Sequence, residues 1–313
     1  MTEVNRLWRA GGRLSGSLYL DLDRDHRSSV FLAGSGRSGT TWLSEIINHD
    51  NEYRYIFEPF YPDKVGICKN FRRKQYLRPD DTREEYLGPA RTVLSGGLRN
   101  AWSDRFNRKH LARRRLIKDI RTNLLLGWMR ANFPGMPQIL LLRHPCAVTN
   151  SRLTLGWKDI LDETMEQKDL VEDFLQPFEK EIRAAKTPFD RSVFLWCIEN
   201  YVPLRQIDSD SVHIAFYESL CVRPEDEVRR LVAFLGKDLD EKVYRGIGRP
   251  SSLSRRDSAV VIGGRSVDSW TRSVGSSRRK RAAGILALFG LDRIYGPDPM
   301  PDPEGVRGLA KAG

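Results

Sequence analysis

The stretch Ala33-Gly34-Ser35-Gly36-Arg37-Ser38-Gly39-Thr40-Thr41-Trp42-Leu43 decides how this chain is read. A short apolar run, Val30-Phe31-Leu32-Ala33, precedes it in the manner of a buried strand, and Leu43, Ile46 and Ile47 follow at helical spacing. Strand, glycine loop and helix together bring backbone N–H groups and a helix N-terminus to one point, which makes an anion site whatever the side chains are. Gly34, Gly36 and Gly39 permit the tight backbone path. A P-loop that hydrolyses nucleotides would carry lysine where Thr40 stands and would use an Asp at a strand end to hold magnesium. The strands expected over 139–142 and 212–216 run instead into Arg143 and Tyr217-Glu218. Arg37 lies inside the loop, where its charge would meet the terminal group of a bound anion, and Ser38, Thr40 and Thr41 add hydroxyl donors. The expectation is an anion held without a metal.

Outward from the loop, Tyr53–Phe57 reads as a second strand, stopped by Glu58-Pro59 because proline cannot donate to a ladder. Gln138–Arg143 is the clearest strand, and His144-Pro145 opens a helix after it. Val212–Phe216 is another strand. Arg223-Pro224-Glu225 then starts a helix that lines up Val228, Leu231, Val232 and Leu235 before Gly236 ends it. Strands alternating with helices predict an α/β fold: a P-loop-like, three-layer arrangement with a central parallel sheet flanked by helices, binding its ligand beyond the carboxyl ends of the strands. Residues 60–115 read as helix and loop insertions. The expected organisation is an N-terminal extension over 1–28, a single domain over 29–296 and a frayed tail over 297–313, which carries Pro297, Pro299, Pro301 and Pro303.

The 313 residues are 40% apolar and 30% charged, the balance of a soluble globular chain, which excludes global disorder. Lys and Arg number 52 against 41 Asp and Glu, and the resulting net charge of +11 favours an anionic partner. Cys68, Cys146, Cys197 and Cys221 show neither zinc-ligand spacing nor a disulfide framework, which suits a reducing compartment. The N-terminus offers no apolar run long enough for a membrane span or signal peptide, so a cytoplasmic protein is expected. Two basic runs, Arg105–Arg115 and Arg278–Arg281, lack the interleaved aromatics of a single-strand platform, and nucleic acid is not expected as a partner. They would suit a membrane surface or a polyanionic or lipid-linked acceptor, although a solvated face is the default for such runs. The second run starts a segment in which Ile285, Leu286, Leu288 and Phe289 read as core contacts.

The segment Gly36–Leu43 resembles the 5′-phosphosulfate loop of sulfotransferases that use 3′-phosphoadenosine 5′-phosphosulfate (PAPS). Arg143-His144-Pro145 through Ser151 is similar to that family's second signature, and the resemblance assigns Arg143 and Ser151 to the 3′-phosphate, the group that separates PAPS from ATP. His144 stands where the family usually has Asp or Asn. Phe216-Tyr217-Glu218-Ser219-Leu220 resembles a third unit whose tyrosine touches the adenine. Trp42 is suited both to stacking on that adenine and to packing against the sheet. Gly264-Arg265 and Trp270-Thr271-Arg272 are similar to a C-terminal loop that closes on the cofactor, which adds Arg265 to the binding set. The implied cofactor is PAPS and the implied product 3′-phosphoadenosine 5′-phosphate (PAP), bound by Gly36, Arg37, Ser38, Gly39, Thr40, Thr41, Trp42, Arg143, Ser151, Tyr217 and Arg265.

Moving a sulfuryl group requires in-line approach, a base for the acceptor proton, and positive charge on the transferring oxygens. Arg37 and the loop amides supply charge. Glu58 is the expected base, since it ends a strand at the loop's edge of the sheet, and Tyr55-Ile56-Phe57 would desolvate it and raise its pKa. Golgi carbohydrate sulfotransferases have a similar Glu-Pro after the loop helix, whereas the steroid and phenol type use a Lys-Thr-His triplet. The comparable place here is Ile117-Lys118-Asp119-Ile120-Arg121, which has no histidine. The resemblance makes Lys118 the aid to the leaving phosphate or sulfuryl oxygens, and Arg121 a contact for an acidic acceptor. His49 is the second candidate base. The reading is sulfuryl transfer to a hydroxyl, or less readily an amine, of a carbohydrate, glycolipid or small molecule. Its rivals are a P-loop-type nucleotide kinase and a non-enzymatic anion-binding protein.

Overall fold

The computed structural model describes residues 19–207, 212–247 and 267–310. Seven strands form among them: β1 (Leu20–Asp21), β2 (Ser29–Gly34), β3 (Tyr53–Phe57), β4 (Leu111–Ala112), β5 (Arg114–Asp119), β6 (Gln138–Leu142) and β7 (Val212–Phe216). Five make one sheet in the order β3-β5-β2-β6-β7, all parallel, while β1 and β4 pair separately. Each parallel neighbour requires a crossover, and the crossovers carry helices onto both faces.

Because side chains alternate along a strand, each strand feeds both faces of the sheet. Phe31, Ala33, Ile56, Ile117, Leu140 and Leu142 enter the larger core, and Val30, Leu32, Leu116, Ile139 and Leu141 the smaller one. The smaller core is closed by α1 (Thr40–Ile47), with Trp42, Leu43, Ile46 and Ile47 inward. On the larger face lie α2 (Glu84–Leu94), α3 (Leu126–Asn132), α4 (Pro145–Thr154) and the long α5 (Pro188–Gln206). Two short helices, α6 (Tyr217–Val222) and α7 (Pro224–Phe234), follow β7, and α8 (Ser276–Leu288) adds Ala282, Ile285 and Leu286 to the larger core. Among the described residues, no helix is long and apolar enough to cross a membrane.

The register brings all five carboxyl ends to one edge. Ala33 lies opposite Asp119, Gly34 opposite Leu141, Phe57 opposite Lys118, and Leu142 opposite Phe216. The glycine loop, Glu58, Lys118, Arg143 and Tyr217 therefore leave the sheet side by side.

Several expectations need correction. Residues 60–115 yield the start of the interior strand β5, hidden in the sequence by its own charges. The basic run there is partly interior: Arg115 is fully buried and pairs with Asp21 at 2.9 Å, and the Arg105 guanidinium lies 3.6 Å over the Trp102 ring. Asp21 also pairs with buried Arg54 at 3.3 Å, and Tyr19 donates to Leu98 O at 2.5 Å, so residues 19–28 are built into the domain. At the other end Gly305–Ala310 is helical, buries Val306 and Leu309, and receives a hydrogen bond from Arg205 at Leu309 O (2.8 Å), unlike a frayed tail. Leu288, expected in the core, is 43% exposed.

Candidate functional site

The loop between β2 and α1 turns by placing Arg37 (φ 78°) and Gly39 (φ 100°) in the left-handed region. A side chain at Gly39 would also collide, since its Cβ would come within 2.7 Å of the Tyr217 ring. Arg37 Nε donates to Ser151 Oγ at 3.0 Å, and Arg143 Nη1 donates to the carbonyl of Arg37 at 3.1 Å. The Arg143 guanidinium lies 4.0 Å over the Tyr217 ring, whose edge meets Trp42 at 5.4 Å. The loop, the segment from Arg143 into α4 and the turn after β7 thus meet in one rim, through Arg37, Arg143, Ser151 and Tyr217, that carries two guanidinium groups.

This rim fits a sulfated, phosphorylated nucleotide. Ser38 Oγ and Arg143 Nε are buried with no hydrogen-bond partner, two donors awaiting an anion at the loop and at the 3′-phosphate position implied by sequence. Gly36 has no room for a side chain beneath Trp157, which a Cβ would meet at 2.6 Å. Thr40 is buried at the first turn of α1 and Thr41 is half-buried. Trp42 is 3% exposed and packs in the smaller core, with its ring beside Tyr217. Arg265 lies outside the described residues.

His144, the departure from Asp or Asn, does the same capping work. Its Nδ1 accepts from Cys146 N at 3.2 Å at the start of α4, and its Nε2 lies 3.2 Å from Gly296 O. An accepting Nδ1 leaves the proton on Nε2, which donates to that carbonyl. Burial lowers the His144 pKa to about 4, which keeps the ring neutral. The ring stacks on Trp270 at 4.1 Å, tying the C-terminal segment to the Arg143 turn. Buried Glu218 accepts from His144 N (2.8 Å) and Tyr295 Oη (2.9 Å), and its burial raises its pKa.

On the other side of the loop, Glu58 is buried and also left-handed (φ 43°). Its carboxylate accepts from Lys118 Nζ at 2.7 Å and Arg121 Nη1 at 2.6 Å, and its N–H donates to Lys118 O at 2.7 Å. The expected rise in its pKa does not occur. Burial alone would raise it, but the two cations outweigh burial and hold the carboxyl below the usual carboxylate value. Burial in turn lowers the Lys118 ammonium, against the pull of Glu58. Lys118 lies 4.5 Å over the Phe57 ring and Arg121 3.8 Å over Tyr61.

The strand β5, absent from the sequence reading, does end in aspartate. Asp119 is fully buried, and its two oxygens accept from Phe60 N and Arg121 N, both at 2.8 Å. It braces the two turns that carry Glu58 and Arg121, with its pKa raised by burial. Also unforeseen is a buried triad beside the loop: Glu199 on α5 pairs with Arg152 at 2.7 Å and with Lys74 at 2.8 Å. Burial would raise the Glu199 carboxyl, but Arg152 and Lys74 hold it down at about 2. Arg152 Nε also donates to Gly36 O at 3.2 Å, which couples the triad to the anion loop. Lys74 (φ 62°) is a third left-handed non-glycine residue near the site. The signal for Arg152 was its place one residue after Ser151; Lys74 and Glu199 carried none. His49 is not part of this assembly. It sits beyond the far end of α1, with its Nε2 3.6 Å from Asp240.

A sequence model of the sulfotransferase family matches residues 29–241. The chain belongs to the sulfotransferase family, and it is an enzyme of sulfuryl transfer with PAPS as donor and PAP as product. Among solved structures, it is similar to mouse sulfotransferase SULT7A1 complexed with PAP, at 15% identity over 96% of this chain and 94% of that one, with a TM-score of 0.49. It is also similar to a sulfotransferase from Alicyclobacillus acidocaldarius (15% identity, 89% and 98% covered, TM-score 0.45) and to the sulfotransferase domain from the curacin biosynthetic pathway (13%, 86% and 98%, 0.44). No curated protein matches the chain.

Proposed function

We propose that this sulfotransferase acts on a hydroxyl group of a carbohydrate, glycolipid or other small molecule, with Glu58 as the base. The observation that supports it most is the placement of a buried, ionised carboxylate between two cations at the same sheet edge as the anion loop. The donor, when bound, supplies a sulfuryl group whose S–O bond to phosphate breaks as the acceptor oxygen bonds to sulfur, the electron pair staying on the phosphate. Everything else falls to the chain. The amides of Gly36 to Thr41 and the hydroxyl of Ser38 orient the 5′ end, and Arg37 neutralises charge there. Arg143 and Ser151 hold the 3′-phosphate, and Tyr217 borders the adenine. Glu58 takes the acceptor proton, and Lys118 then turns from it toward the departing oxygen.

A lowered pKa makes Glu58 a weaker base than a poised one, but it keeps the carboxylate fully ionised at neutral pH. Its left-handed backbone costs on the order of 1–3 kcal/mol, a strain that positions the carboxylate in the site. The test is turnover and PAP affinity of Glu58→Gln. Lost turnover with retained PAP binding supports the assignment, and full turnover moves the base elsewhere.

A further inference from the structure

Next to the anion loop opens a cleft of about 320 Å³ that no part of the donor reading uses. Its two ends are anchored in the site: Arg121 lines it and binds Glu58, and Arg152 lines it and binds the carbonyl of Gly36. Its walls are largely apolar, with Tyr61, Ile120, Leu153, Trp157, Ile160 and Leu195 facing in. Trp157 is 43% exposed, a large aromatic face left open at the mouth.

The charge on the floor does not close. Lys74 and Arg152, both nearly fully buried, share the single carboxylate of Glu199. Arg152 Nη1 is buried with no hydrogen-bond partner, an expensive state for a charged donor. One additional anion would satisfy it and neutralise the pair. A neutral sugar could offer a hydroxyl oxygen to that donor but would leave the charge uncompensated, and it would leave the apolar walls facing its other hydroxyls.

Resting on the proposed sulfuryl transfer, we infer that this cleft is the acceptor subsite and takes a hydroxylated molecule with a flat apolar body and one anionic group. The anion meets Arg152 and Lys74 on the floor, the body lies against Trp157 and Leu195, and the hydroxyl is presented toward Glu58. This narrows the acceptor from any hydroxyl compound to an acidic aromatic or alicyclic one.

Three probes test it by calorimetry, each titrated into the protein alone and into the protein with PAP: 6-hydroxy-2-naphthoate, 2-naphthol and lactose. The naphthoate is expected to bind at least about tenfold more tightly than naphthol, the scale of one charge-assisted hydrogen bond. Lactose is expected to show no binding. Trp157→Ala should weaken both naphthalene probes by a similar factor, which ties them to this cleft. Equal affinities for naphthoate and naphthol, no binding of either, or preferential binding of lactose would overturn the inference. PAP affinity is read separately in the same titrations. Failure of PAP to bind would remove the donor reading, while a naphthoate preference without PAP would leave the cleft assignment standing.

Discussion

At the residue scale, the site is a set of charges whose partners decide their chemistry. Glu58 was legible in the sequence as a strand-ending carboxylate, but its pKa was not, because Arg121 lies two residues beyond the end of its neighbouring strand and no spacing rule places it on Glu58. Glu58→Gln is expected to lower kcat by about 10²–10⁴-fold, the range for losing a general base, with PAP affinity little changed. In the wild type, Glu58 stays ionised down to pH values below the ordinary carboxylate value of 4.5, since its cations depress its pKa. The acid limb of kcat/KM from this group should therefore fall below pH 4.5, and a limb near pH 6 would mean that the cations do not hold the carboxylate in the working enzyme. Arg37, Arg143 and Ser151 were each readable from local motifs. Their mutual contacts, at 3.0 and 3.1 Å, required the fold.

At the element scale, strands with apolar runs were plain and a strand with buried charges was not. β6 is five consecutive buried residues, Gln138–Leu142, and was read to within one residue. β5 reads Arg-Arg-Leu-Ile-Lys-Asp, and its Arg115, Lys118 and Asp119 are buried against paired partners that the sequence does not display. α5 was missed for the opposite reason. Val193 to Asn200 are buried without interruption, so no polar stripe marks the helical period. The helix cap at α4 is a direct test of local chemistry. His144→Asn can restore the acceptor at the cap, whereas His144→Ala removes both the cap and the stack on Trp270. The alanine variant should lose about 1–2 kcal/mol, mostly the cap term, and asparagine less, as read from urea midpoints. Equal losses would mean that the imidazole ring, not its Nδ1 acceptor, matters there. Gly39→Ala should cost more than the usual 1 kcal/mol or so of a left-handed glycine and weaken PAP binding, because the new Cβ meets Tyr217 at 2.7 Å.

At the scale of the whole molecule, the five-stranded sheet gathers residues from 37 to 217 at one edge, and segments near both ends of the described chain pack onto it. Asp21→Ala removes the carboxylate paired with the buried Arg115 guanidinium and leaves Arg54 with Asp104 alone, and is expected to destabilise the fold by about 3–5 kcal/mol. A loss under about 1 kcal/mol would return residues 19–28 to the status of an appendage. Stability should also carry an acid-side loss that comes from two buried histidines. Burial lowers His144 and His213 from 6.5 to about 4, so the unfolded chain binds protons that the folded one refuses. These two groups cost the fold stability as pH drops from 6.5 toward 4 and add nothing above 6.5; a urea midpoint of the wild type that responds to a shift from pH 7 to pH 5 no more than that of the His144→Asn, His213→Asn double variant would contradict this. Donor recognition is likewise a property of the assembled edge, since the loop follows β2, Arg143 follows β6 and Tyr217 follows β7. The most direct measurement of that recognition is calorimetry of PAP against ADP on the wild type and on Arg143→Ala. PAP should bind the wild type about tenfold or more tighter than ADP, and Arg143→Ala should lose about 1.5–3 kcal/mol for PAP alone. Equal affinity of the wild type for PAP and ADP, or a PAP preference that survives Arg143→Ala, would contradict a site built around the 3′-phosphate.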